Sequence, residues 1–201
     1  MSDLPSAQTS GRLGARLLMQ IDKLLCSVER VTLSISCVLT VFVMLIVSAD
    51  AISRYLLNAP IGFTFDLVIM YIMPATLFCA LSFTLRHGAH VNVDLIVGYL
   101  RPRQFDILSG LLMLIAFPLV LFLGTEGAVN TWRAWLGGDV TTGVYAWQIW
   151  LSEIIVPIGF GLLAARVAHM AVANLYAGIT GERAVAIPLS PHRISKHEEA
   201  I

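Results

Sequence analysis

This sequence predicts an all-α integral membrane fold: four transmembrane helices, an N-terminal amphipathic interfacial helix, and both termini cytoplasmic. Three observations carry the prediction. Of 201 residues, 57% are hydrophobic and only 13% charged, with a mean hydropathy of +0.80, far from the balance of soluble globular domains. The apolar residues gather in four long runs, each near the roughly 20 residues that a bilayer core requires of a helix satisfying its own backbone. Lys and Arg are distributed unevenly between the flanking segments, which sets orientation.

The N-terminal segment is polar, with scattered Arg and Lys. The apolar run after it is too long for a signal-peptide core and lacks a small-residue cleavage site, so a retained first helix is expected. Within that segment, "LGARLLMQIDKLLCSVER" (Leu13 to Arg30) places Leu17, Ile21, Leu24, Leu25 and Val28 at helical spacing against Arg16, Lys23 and Arg30. That pattern predicts an amphipathic helix lying on the membrane surface.

The first span is expected from about Val31 to Leu57, the second from Phe65 to Leu85, the third from Phe105 to Thr125 and the fourth from Val144 to Val172. Arg12, Arg16, Lys23 and Arg30 precede the first span. Arg86, Arg101 and Arg103 lie between the second and third, and Arg183, Arg193 and Lys196 follow the fourth. The other two connections offer only Arg54 and Arg133, so they are assigned outside. The organisation that follows is a cytoplasmic segment 1–30 with the amphipathic helix, a four-helix membrane domain 31–176, and a flexible cytoplasmic tail 177–201.

Composition also excludes function classes. Formal net charge is zero, so no basic surface points to nucleic acid. Cys26, Cys37 and Cys79 are odd in number and lack CxxC spacing, so no disulfide framework is implied. No phosphate-binding glycine loop, nucleophile elbow or pocketed carboxylate pair is present, and an enzyme is not expected.

The polar constellations have more than one reading. His87, His90 and Asp94 stand at i, i+3 and i+7 in "RHGAHVNVD", so metal or haem ligation from one helix face is geometrically open. Gly88 interrupts that helix, however, and "HVNVD" alternates like a turning segment, which favours a polar corner at the membrane edge. His169, late in the fourth span, is expected to snorkel or cap. Asp50 and Arg54 can pair along the first helix. Asn58, Pro60 and Gly62 make a turn, and Asp66 complements the dipole at the start of the next helix; this hairpin is either purely structural or a subunit contact. Glu153, inside the fourth span, requires a partner, Arg54 and Arg133 being the candidates, or else marks a proton or sodium path. Trp132, Trp135, Trp147 and Trp150 suit a membrane interface. Pro74, Pro118 and Pro157 predict kinks. Thr76 with Ala80, and Gly161 with Ala165, offer small-residue packing.

Three motifs in order, Glu29-Arg30, then "RYLLNAP" (Arg54 to Pro60), then "RHGAHVNVDL" (Arg86 to Leu95), resemble the small membrane subunit of TRAP transporters, the DctQ-like family. The resemblance covers about Leu24 to Leu175. Where the family often has Trp, Thr or Ser, then Glu, this chain has Phe63, Thr64, Phe65 and Asp66, keeping the acidic position with a shorter side chain. The resemblance implies a non-catalytic scaffold in the bacterial inner membrane, without cofactor. Its implied partners are a large multispan permease subunit, a periplasmic substrate-binding protein and membrane lipid, in sodium-coupled uptake of organic acids. Under that reading Arg54, Tyr55, Asp66, Arg86, His90 and Asp94 serve assembly or stability rather than substrate contact. Two rivals from other classes are a haem- or quinone-binding anchor of a respiratory enzyme, using His87, His90 or His169, and a small autonomous channel or exporter.

Overall fold

The computed structural model describes residues 5–59, 61–87, 102–142 and 145–180, with side chains from residue 14 onward and that of residue 102 excepted. Helix α1 runs Pro5–Leu56 without a break. No Gly or Pro occurs between Gly14 and its end, so nothing in the sequence stops it. At about 1.5 Å per residue its 52 residues reach roughly 78 Å, more than twice the ~30 Å bilayer core. Here the structure differs from the expectation of a separate interfacial helix: the amphipathic stretch is continuous with the first span. The helix ends where Asn58 takes a positive φ of 52°, a conformation Asn tolerates better than most residues.

The second span begins with α2, Thr64–Asp66, widens into a π-helical turn over Leu67–Ile72, and returns to α geometry in α3, Met73–Arg86. The cause of the widening is Pro74, which has no N–H for the carbonyl of Met70. That carbonyl instead accepts a hydrogen bond from the Ser152 hydroxyl, so the proline-freed group is satisfied from another helix.

Helix α4, Pro102–Gly137, starts with proline at its first position and contains Pro118 without interruption. It extends well beyond the expected end near Thr125, so Glu126, Trp132 and Arg133 all lie on it. Its terminus is a Schellman motif. Gly138 has φ +63°, its N–H bonds Trp135 O at 3.3 Å, and Asp139 N–H bonds Ala134 O at 3.2 Å. The fourth span is split into α5, Ile149–Glu153, and α6, Ile155–Thr180. The split falls three residues before Pro157, which cannot bond back to Glu153. Among the described residues no strand forms, only an isolated antiparallel bridge between Val140 and Gln148. Four helical stretches, Gly14–Leu56, Thr64–Arg86, Arg103–Gly137 and Ile149–Thr180, are long and apolar enough to cross a membrane.

The chain divides into two compact units. One comprises Met1–Val28, Thr84–Pro118 and Ala164–Ile201. Its packing is centred on α6, where Ala164, Val167, Met170, Ala171, Ala173 and Ala177 are buried. Glycines permit close approach: a Cβ on Gly110 would stand 2.8 Å from Leu175 Cγ, and one on Gly178 would stand 2.5 Å from Ile107 Cγ1. The other unit comprises Glu29–Phe83 and Leu119–Leu163. In it Phe78 packs edge-on against Phe160, with centroids 5.2 Å apart, and Gly159 leaves room for Phe78 while Gly127 leaves room for Val156 and Pro157. Gly161 and Ala165, expected to let another helix approach closely, are both exposed, with nothing within 4 Å of a Cβ at Gly161. In a membrane, such small residues replace the missing hydrophobic drive with backbone proximity.

Candidate functional site

A polar group inside an apolar helix is costly unless it is bonded, so the buried polar residues mark where the chain holds itself together. On α1 they fall in register. Buried Glu29, Ser36 and Asp50, and half-buried Asp22, are separated by multiples of seven residues, which keeps them on one helix face. Each is bonded to its own unit.

In the first unit, Arg166 Nη1 donates to Asp22 Oδ1 at 2.7 Å. Arg166 is only 3% exposed, so this ion pair neutralises a cation taken almost wholly out of water. The Cys26 thiol lies 3.6 Å from the other Asp22 oxygen. His169, expected to snorkel or cap, is buried, with Nε2 3.1 Å from the carbonyl of Leu18. Since a carbonyl only accepts, that ring nitrogen carries the proton. Arg103 donates to Ile179 O at 3.2 Å, a cation on the last carbonyls of α6.

In the second unit, Glu29 is 0% exposed and accepts from the Ser82 hydroxyl at 2.8 Å. Ser36 Oγ donates to Thr76 O at 2.8 Å. Asp50, 8% exposed, accepts twice: from Arg54 Nη2 at 2.9 Å and from the backbone N–H of Ile61 at 2.8 Å. The first bond is the expected i, i+4 pair. The second fastens the residue that precedes Gly62 in the hairpin to the helix it has just left. Ser53 Oγ adds a 2.6 Å bond to Ala59 O. Opposite, Tyr71 OH donates to Gln148 O at 2.7 Å, joining the second span to the start of the fourth.

The expected contact residues are placed as follows. Arg54 is held by Asp50, with its side chain 60% exposed. Tyr55 is 84% exposed. Asp66 ends α2, half-buried, and makes no capping bond. Arg86 closes α3 and is half-buried. His90 and Asp94 lie outside the described residues, as does Pro60. Glu153 finds neither Arg54 nor Arg133: Arg54 is taken by Asp50, and Glu153 Oε2 is buried without a hydrogen-bond partner among the described residues. Among those residues no group of three or more His, Cys, Asp and Glu is arranged for a metal ion.

Three of the tryptophans form one surface. Trp132 meets Trp135 edge-on at 5.2 Å, and Trp135 meets Trp150 at 6.5 Å. With Ala128, Thr131, Ile154 and Pro157 they line an apolar groove of about 560 Å³. Trp150 Nε1 is bonded to Gln148 Oε1 at 2.7 Å, the amphipathic arrangement typical of indoles at interfaces.

The described residues thus form four membrane-length helices whose apolar residues are largely exposed. Residues 43–177 match the family described as tripartite ATP-independent periplasmic transporters, DctQ component. The chain belongs to this family. It is thus a membrane component of a tripartite transporter, a system in which the DctQ component works with a large permease subunit and a substrate-binding protein. No curated protein and no solved structure matches the chain. The match includes "RYLLNAP" and "RHGAHVNVDL", while Glu29-Arg30 precedes it. Sequence reasoning did not pair Asp22 with Arg166, or Glu29 with Ser82, in this DctQ component. Their signal was the seven-residue spacing on α1 and an arginine within an apolar run of α6.

Proposed function

We propose that the chain is the small permease subunit of a sodium-coupled TRAP transporter importing organic acids across the bacterial inner membrane, where it acts as a scaffold for the large transport subunit. The observation that carries this reading is the distribution of burial. In three of the four candidate spans no more than 11% of the most apolar window is buried within the chain, while Asp22, Glu29 and Asp50 are bonded to the chain's own groups. Helices built this way present surface to lipid and to a partner, and their polar groups serve cohesion. A solute path would instead require polar groups turned into a shared interior.

In this reading both termini are cytoplasmic, in line with the Lys and Arg asymmetry, and residues 31–176 form the membrane domain. Arg54, Tyr55, Asp66, Arg86, His90 and Asp94 support the complex or the subunit's own stability. The test is reconstitution. Proteoliposomes holding the chain alone should not accumulate an organic acid under an inward sodium gradient, whereas the chain with its large subunit and binding protein should. Uptake by the chain alone would refute the scaffold role.

A further inference from the structure

The tryptophan groove owes its shape to a close helix approach followed by a helix break. At Gly124 and Gly127, α4 comes against α6: a Cβ on the first would stand 3.3 Å from Phe160 Cβ, and one on the second 2.9 Å from Val156 Cγ1. From Ala128 to Trp135, α4 faces the point where α5 gives way to α6, at Ile154 and Pro157. The two sides enclose about 560 Å³ there, within the roughly 300–1,000 Å³ of pockets that hold a small organic molecule. All of the lining belongs to one compact unit.

The walls are apolar because their polar groups are already used. The Thr131 hydroxyl donates to Gly127 O at 2.8 Å, and Trp150 Nε1 to Gln148 Oε1 at 2.7 Å. The indole N–H groups of Trp132 and Trp135, residues 56% exposed, make no hydrogen bond among the described residues. The groove is also continuous with the surface that meets hydrocarbon. Leu121, seven residues before Ala128 and on the same face of α4, and Ile158, four after Ile154, are both exposed. Ala128 stands three residues past Thr125, where the apolar run of this span ends. Helical side chains cover the turn N-terminal to their own Cα, so Trp132 and Trp135 lean back toward the bilayer. The groove therefore lies at the level of the headgroups and the first methylenes.

We infer that this groove binds one acyl chain of a membrane phospholipid, with the indole N–H groups of Trp132 and Trp135 donating to the ester or phosphate oxygens at its head. A protein segment is the weaker occupant. It would press peptide N–H and C=O groups against walls whose own polar groups are taken, whereas hydrocarbon brings none. The site goes beyond the scaffold reading and does not depend on it.

The experiment uses the full chain in dodecyl maltoside, titrated with phosphatidylcholine brominated in its acyl chains and read by tryptophan fluorescence. Trp147→Phe removes the tryptophan outside the groove, so Trp132, Trp135 and Trp150 report on it. Quenching should saturate at a single lipid per chain, and unbrominated phosphatidylcholine should reverse it. Ala128→Phe, at an exposed position, puts a ring into the groove. It should raise the lipid needed for half-maximal quenching by about tenfold with helicity unchanged. Trp132→Phe with Trp135→Phe keeps the apolar wall but removes both donors, and should raise it about fivefold, read from Trp150. Quenching that climbs without saturating would overturn the inference, because it reports lipid passing over the surface; so would saturable quenching indifferent to Ala128→Phe. In the complex with a large permease subunit, phosphatidylcholine carrying a diazirine in its acyl chain should label residues 128–135 or 150–157 on irradiation. No label at those residues would mean that protein fills the groove, and the inference would fall while the scaffold reading stood.

Discussion

Asp50→Ala is expected to be among the most damaging changes in the first hairpin, and the structure sets the size of the effect. The carboxylate is 8% exposed and holds two donors, the Arg54 guanidinium at 2.9 Å and the Ile61 N–H at 2.8 Å. The backbone bond is charge-assisted and largely buried, worth about 1.5–3 kcal/mol. The Arg54 pair is worth less, about 0.2–1 kcal/mol, because the arginine side chain is 60% exposed and can be rehydrated. Asp50→Ala should therefore cost about 2–4 kcal/mol, Asp50→Asn about 1 kcal/mol because an amide oxygen can still accept from Ile61, and Arg54→Ala less than about 1 kcal/mol. Reversible unfolding in mixed micelles measures the ranking, and hydrogen exchange at the Ile61 amide reads the bond directly. Protection there should fall about tenfold per 1.4 kcal/mol lost in Asp50→Ala and should persist in Arg54→Ala. An Arg54→Ala loss as large as that of Asp50→Ala, or an Ile61 exchange rate equal in all three variants, would refute the role given to the Asp50 carboxylate.

Other substitutions separate the remaining contacts. Gly159→Ala brings a Cβ to 2.5 Å from Phe78 Cβ and should lower the midpoint of unfolding by the equivalent of about 1–3 kcal/mol. Gly161→Ala, with nothing within 4 Å, should be neutral or stabilising by up to about 1 kcal/mol; equal losses at both positions would count against the packing described. Asp22→Ala removes the 2.7 Å ion-pair partner of the 3%-exposed Arg166 and should cost about 1.5–3 kcal/mol, with Asp22→Ala/Arg166→Met recovering much of that loss. A double variant as damaged as the sum of its parts would mean that the pair is not coupled. Ser82→Ala removes the 2.8 Å bond to buried Glu29 and should cost about 1–3 kcal/mol, measured by the same unfolding assay; a variant as stable as the parent would show that bond to be dispensable.

The four spans were legible because hydropathy and length decide membrane crossing almost by themselves. Helix ends were not, because hydropathy reports the bilayer while the backbone obeys different signals. After Thr125 the sequence "EGAVNTWRAWLG" loses apolar character yet contains no proline, and α4 stops only where Gly138 can adopt its left-handed conformation. Likewise the segment before Val31 was amphipathic and read as separate, although no residue between Gly14 and Leu56 breaks the helix. The Asp50–Arg54 pair was legible because both partners lie on one helical turn. Asp22 with Arg166 and Glu29 with Ser82 were not, since their partners come from distant parts of the chain.

A soluble helix announces its buried face by an apolar stripe, but in α1 beyond Arg30 apolar residues occupy every side of the helix and that stripe carries no information. The costly residues carry it instead. A carboxylate persists on such a helix where a donor meets it, so Glu29 and Asp50, with Ser36 on the same face, mark the side turned toward the rest of their unit, whereas the exposed Ser34 and Ser48 hydroxyls bond carbonyls of their own helix. The opposite face, apolar and exposed, is the one left for lipid and partner. Reading the carboxylates first assigns the inward side of α1, and the same cost of burying charge picks out Arg166 on α6, where an arginine 3% exposed is held by Asp22 in the amphipathic part of α1.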